Sequence, residues 1–184
     1  MTKTKRRYDP DRRDRIIDAA LDVIAEHGIA GMTHRRVAER ADVPLGSTTY
    51  HFAGIDDLLV EAFRRFSHQA AARYSERMAQ ATTLPEAREA VVDLISGGLW
   101  ATQRNMMLSF ELYAYAARNP RLREVLVDWM AQSRAAMQQH FPPETARILD
   151  AFLEGVTIHN TSSENLIPRS QVREIVGRLT ALPD

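Results

Sequence analysis

Apolar positions recur at helical spacing along the chain, and nowhere do apolar and polar residues alternate over a full strand length between turn signals. Over residues 11–28, Ile16, Ile17, Ala20, Leu21, Ile24 and Ala25 share one helical face, and Gly28 is a natural stop. Thr33 is a good N-cap for a second helix with an apolar face of Val37, Ala38 and Ala41. Asp42 and Val43 mark a turn. Pro44 then suits the start of a short third helix over 45–52. A long fourth helix begins near Ile55 and runs to about Ala81. Asp56 and Asp57 sit in its first turn, where the helix dipole favours negative charge, and Leu58, Leu59, Ala62, Phe63 and Phe66 follow.

Beyond Leu84-Pro85 the helical period continues. Further helices are expected over 85–102, 105–117, 120–141, 144–159 and 168–182, with Pro142-Pro143 as a break and 160–165 as a polar loop. The expected fold is all-α, with about nine helices. Residues 1–54 form a three-helix head with a helix-turn-helix, and 55–184 form a larger helical bundle.

Composition narrows the class. The 184 residues are 45% hydrophobic and 26% charged, with no cysteine, so disulfides and thiolate metal sites are excluded. No apolar run approaches the roughly 20 residues of a membrane span. The basic N-terminus lacks a following apolar run and is not expected to be a secretory signal, so a cytoplasmic setting without a membrane partner is expected. The net charge is zero, but its distribution is uneven. Lys3, Lys5, Arg6, Arg7, Arg12, Arg13 and Arg15 face three acidic residues in the first fifteen, whereas 14 basic and 16 acidic residues follow from position 55. A basic leading segment on a slightly acidic body is the asymmetry of a nucleic-acid-binding head.

The third helix carries Gly46, Ser47, Thr48, Thr49, Tyr50 and His51, small or hydrogen-bonding groups that suit a face meeting nucleic acid. In helix-turn-helix geometry the second helix of the pair enters the major groove. The words AALDVIAEHG, THRRVAERADV and YHF, within residues 12–63, resemble the TetR family of bacterial transcriptional regulators. More loosely, VPLGSTTYHFAGIDDLL, SFELYAYAARNP and ILDAFLEG resemble its RcdA-like subgroup.

The resemblance implies a DNA-binding regulator, most often a repressor, that works as a homodimer on an inverted repeat and is released by a small-molecule effector. It implies DNA contacts from Thr33, His34 and Arg35 and from Leu45, Gly46, Ser47, Thr48, Thr49, Tyr50 and His51. Thr33 and Arg35 would bind phosphate, Ser47, Thr48 and Thr49 would meet base edges, and Tyr50 and His51 would hold the backbone. Two departures from the family pattern stand out. Asp42 replaces the usual turn glycine, and Ala53 and Ile55 replace basic residues after the recognition helix. Lys3, Lys5, Arg6 and Arg7 are expected to compensate, so that deleting residues 1–7 weakens operator binding and flattens its salt dependence.

The resemblance also pairs the last two helices of each subunit in a four-helix bundle. Ile148, Phe152, Gly155, Val156, Val172, Ile175 and Leu179 are the candidate dimer residues, with filling of the subunit's own core as the competing role. Such a dimer sets its recognition helices roughly 34–36 Å apart. Candidate effector-binding residues are Trp100, Gln103, Met107, Phe110, Tyr113, Trp129, Phe152 and His159, with core packing as the competing role. The fourth helix would couple effector to DNA. Catalysis is not expected: His27, His34, His51, His68, His140 and His159 are scattered, and no nucleophile elbow or phosphate loop appears, so neither metal nor cofactor is expected. Activation of transcription, or regulation without an effector, is the alternative within the same class.

Overall fold

Helices form where the apolar period places them, and side-chain caps set several of their ends. The computed structural model describes residues 9–97, 102–162 and 166–181. These form α1 (Arg12–His27), a 3-10 turn (Ile29–Gly31), α2 (His34–Arg40), α3 (Leu45–His51), α4 (Ile55–Ala79), α5 (Leu84–Gly97), α6 (Gln103–Ala116), α7 (Pro120–Met137), α8 (Pro143–Ser162) and α9 (Arg169–Leu179). Among the described residues there is no strand, and no helix is long and apolar enough to cross a membrane.

Some ends differ from the sequence expectation for identifiable reasons. The Thr102 hydroxyl accepts from the Asn105 N–H at 3.2 Å, so Thr102 caps the start of α6 rather than ending the helix before it. The amides of His140 and Phe141 both turn back to the Met137 carbonyl, at 3.1 Å each, which stops α7 a turn early. α8 continues through Asn160, whose side-chain oxygen accepts from the Ile167 N–H at 3.1 Å.

The chain divides into two compact units, one up to Arg65 and one from Phe66. The expected boundary at 54/55 therefore shifts, and chemistry explains the shift. Leu58, Leu59, Ala62 and Phe63 at the start of α4 are buried. Glu61 accepts from Arg13 of α1 at 2.5 Å, and Arg65 pairs with Asp14 and, at 3.0 Å, with Asp18. The first turns of α4 thus belong with α1, α2 and α3. Ile16, Ile17, Ala20, Leu21, Ile24, Val37, Ala38 and Phe52 are among the other core residues of this unit.

The turn between α2 and α3 is held by the Val43 N–H, which donates to the Ala38 carbonyl at 3.0 Å. Asp42 adopts φ 51°, the left-handed region that aspartate tolerates better than most residues. Asp42→Val is expected to lower stability by about 1–2 kcal/mol, while Asp42→Gly holds or raises it. Urea unfolding of the two variants measures both effects, and equal midpoints would remove the strain argument.

In the second unit α5 packs on α9, α6 on α7 and α7 on α8. A cluster of opposite charges ties α9 to α5. Arg173 donates to both Glu89 oxygens at 2.8 and 2.9 Å, Arg169 bridges Glu89 and Asp93, and Arg77 of α4 donates to Asp93 at 2.5 and 2.9 Å. The Arg173 hydrogen bonds, joined by those of Arg169, hold Glu89 down at about 2, well below the carboxylate range. Burial works against ionising Asp93, yet Arg77 and Arg169 still hold it below its ordinary value. Both depressed carboxylates stabilise the fold above their unfolded pKa, and this contribution is lost as pH falls from about 4.5 toward 2. Partial exposure limits the effect to less than about 1 kcal/mol. Glu89→Gln is therefore expected to shrink the drop in Tm between pH 6 and pH 3, which a calorimetric series measures.

Candidate nucleic-acid interface and helical-body cavity

The helix-turn-helix is assembled by short-range contacts. The exposed Thr33 hydroxyl accepts from the Arg36 N–H at 3.2 Å and starts α2. The Arg36 guanidinium donates to the Gly31 carbonyl at 2.8 Å, pinning the turn that leads in. A Cβ at Gly31 would stand 2.6 Å from that of His27, so no larger residue fits here without backbone movement. Arg40 grips Glu26 of α1 through both guanidinium nitrogens. Arg35 projects into solvent, 84% exposed, with a 3.3 Å contact to Glu39. His34 is half-buried, and its Nδ1 meets no hydrogen-bond partner among the described residues.

On α3 the exposed residues are Leu45 and Gly46 and, one turn further on, Thr49 and Tyr50, which share one face. Tyr50 is 81% exposed, and its ring meets that of His51 edge-on at 5.1 Å. Ser47 and His51 are half-buried. Thr48 corrects the sequence expectation. Its side chain is wholly buried and its hydroxyl donates to the Leu45 carbonyl at 2.8 Å, so it stabilises the helix and does not reach a base edge. Phe52 closes the core beneath, with the Arg13 guanidinium 5.3 Å from its ring centroid. Lys5, Arg6 and Arg7 lie outside the described residues.

In the second unit a cavity of about 10 Å³ is lined by Tyr74, Trp129, Met130, Ser133, Asp150, Leu153 and Glu154. That volume holds at most about one water. Asp150 and Glu154, one turn apart on α8, put two carboxyl groups into this small space. Asp150 accepts from the Ser133 hydroxyl at 2.7 Å and faces the Arg134 guanidinium at 3.5 Å. Glu154 accepts from the Tyr113 hydroxyl at 2.5 Å. Burial raises the pKa of both acids above their ordinary values, against the lowering pull of those partners. Burial, and then the bond to Glu154, raises that of Tyr113 as well. Trp129 stands at 5.5 Å from Phe66 and 6.5 Å from Tyr113, ring centre to ring centre.

Of the effector-binding candidates, then, Trp129 lines the cavity and Tyr113 reaches it through Glu154. Met107, Phe110 and Phe152 are half-buried elsewhere, Gln103 and His159 are exposed, and Trp100 lies outside the described residues. Sequence reasoning missed Asp150, Glu154, Ser133 and Tyr74. A signal for Asp150 was present: it falls in phase with Ala146, Leu149, Leu153 and Val156, an acid within an apolar helical stripe.

Among the dimer candidates, Ile148 is 37% exposed and Phe152, Gly155, Ile175 and Leu179 are half-buried. A Cβ at Gly155 would meet nothing within 4 Å. Val172 and Val156 are corrected: both are buried in the subunit's own packing and are not available to a second copy.

Residues 16–62 match the profile of bacterial regulatory proteins of the tetR family, and residues 86–182 that of a tetracyclin repressor-like C-terminal domain. A crystal structure of a transcriptional regulator from Streptomyces coelicolor A3(2) is 47% identical, with TM-score 0.88 over 94% of this chain and all of the other. The multidrug binding protein EbrR, solved with imidazole, is 38% identical, with TM-score 0.75 over 96% of this chain and 98% of its own. The HTH-type transcriptional regulator BetI 1 of Chromohalobacter salexigens is 26% identical over 175 residues, 95% of this chain and 76% of that protein.

Proposed function

Because the chain belongs to the TetR family of bacterial transcriptional regulators, we propose that it is a cytoplasmic repressor that binds an inverted-repeat operator as a homodimer and is released by a small-molecule effector. The observation that carries this reading is the pairing, in one chain, of an exposed α3 face with a separate helical unit whose cavity is lined by two acids, Asp150 buried and Glu154 half-buried. In the first unit, up to Arg65, Thr33 and Arg35 would anchor phosphates while the α3 face enters the major groove. The exposed or half-buried Ile148, Phe152, Gly155, Ile175 and Leu179 on α8 and α9 are the surface a second copy would cover.

For the effector, the cavity favours an aromatic cation. Trp129 and Tyr74 contribute aromatic rings to its wall, and the buried Asp150 and half-buried Glu154 contribute carboxyl groups. EbrR has been solved with proflavin, ethidium and malachite green, all aromatic cations. A cavity of about 10 Å³ admits no such molecule as it stands. Binding would therefore select a conformer in which the surrounding helices separate, and operator affinity would fall only by the effector's preference for that conformer.

The test combines selection of bound duplexes from a random pool, sedimentation, and titration of the operator complex with ethidium. Enrichment of an inverted repeat by a dimer, with release on titration, is expected. A strictly monomeric protein, or one without preference for any inverted repeat, would overturn the reading. A reporter fused to the selected operator, with and without the protein, separates repression from activation.

A further inference from the structure

We propose that α3 reads its half-site chiefly through the 5-methyl groups of thymine, with Leu45 and the Thr49 methyl as the specificity-determining contacts. This rests on the reading of α3 as the recognition helix.

The residues of α3, LGSTTYH, include no Arg, Lys, Asn, Gln, Asp or Glu. The bidentate pairings that read guanine or adenine, and the carboxylate that reads cytosine, are therefore unavailable from this helix. What its exposed face offers is mainly apolar. Leu45 is 53% exposed at the helix start, and Thr49 lies one turn further along the same face. The Thr49 hydroxyl donates back to the Gly46 carbonyl at 3.3 Å, so its donor is already engaged while its methyl is not. Thr48, the other threonine, is buried. Gly46 lies between the two contacts, and a Cβ there would meet nothing within 4 Å, so the backbone can approach a groove floor closely. The hydroxyls of Ser47 and Tyr50 each accept as readily as they donate, and so discriminate weakly among bases. Among the base edges of the major groove, the thymine C5-methyl is the apolar feature. An apolar face without bidentate groups is complementary to it. Duplex DNA is the occupant because residues 16–62, which contain α3 whole, match the tetR regulatory profile.

The test uses the full chain. Once duplexes have been selected from a random pool, each thymine of the enriched half-site is replaced by uracil, which removes only the methyl. Each guanine is separately replaced by 7-deazaguanine, which removes the N7 acceptor. At two or more positions uracil should weaken binding about fourfold, the effect of one buried methyl, and 7-deazaguanine should change little. Leu45→Ala should abolish the uracil penalty at one of these positions. Leu45 is exposed, so the variant keeps its core, and circular dichroism checks this. The proposal is overturned if uracil is silent, if 7-deazaguanine costs tenfold or more, or if the penalties survive Leu45→Ala and therefore arise from DNA shape. Failure to enrich any duplex overturns the recognition-helix reading, and this inference with it.

Discussion

Phe63→Ala is expected to destabilise the first unit by about 3–5 kcal/mol, the range for removing a buried aromatic side chain and leaving its cavity. Phe63 is wholly inaccessible, and among the described residues of its unit the other wholly buried large side chains are Ile16, Ile17, Leu21, Ile24 and Leu58. A unit of about sixty residues buries a smaller fraction of its surface than a large domain, so its margin is thin. The loss should lower its Tm by at least about 12 °C and shift the urea midpoint in proportion. Operator binding should fail at temperatures where the parent still binds. A shift of less than about 1 kcal/mol would mean that the early turns of α4 do not belong to this core.

Glu154→Gln is expected to weaken binding of an aromatic cation such as ethidium by about 2–5 kcal/mol, roughly thirtyfold to several thousandfold. The size follows from deleting one charge of a pair formed at a half-buried carboxylate, where Coulomb interactions are stronger than in open water. The glutamine oxygen can still accept from Tyr113, so the 2.5 Å bond has a replacement and the cavity wall is kept. The same variant should gain stability at pH 8. Burial raises the folded-state pKa of Glu154 above its unfolded value, so its contribution is full below about pH 4.5 and is lost as pH rises through the folded pKa. Removing the ionisable group removes that loss, and the drop in Tm between pH 5 and pH 8 should shrink. Fluorescence titration and a Tm series in the two buffers give both numbers. Weaker binding together with greater stability would mark an acid kept for recognition at a cost to folding. Unchanged ethidium affinity would remove Glu154 from cation recognition.

How far the sequence could be read depends on the range of the interaction concerned. Thr33 as a cap, Pro44 at the entry to α3 and Asp42 in the turn before it are each decided within four residues, and all three were legible. So was the all-helical class, because period and caps repeat along the chain. The short turn over Ile29–Gly31 was not, since its defining bonds from Gly31 to Gly28 and from Met32 to Ile29 carry no side-chain signature.

What the sequence determined by itself is the order of helices, the helix-turn-helix and the family. The tertiary structure alone decided burial where the apolar pattern gives no sign of it. Thr48 and Thr49 are chemically identical neighbours, yet one is wholly buried and the other exposed, because a step of about 100° around α3 carries a side chain from core to solvent. Val172 turns into its own subunit, and the start of α4 joins the first unit through its buried Leu58, Leu59, Ala62 and Phe63. The acid-lined cavity likewise exists only where α4, α7 and α8 converge, bringing Tyr74, Ser133 and Asp150 together from segments far apart in the chain.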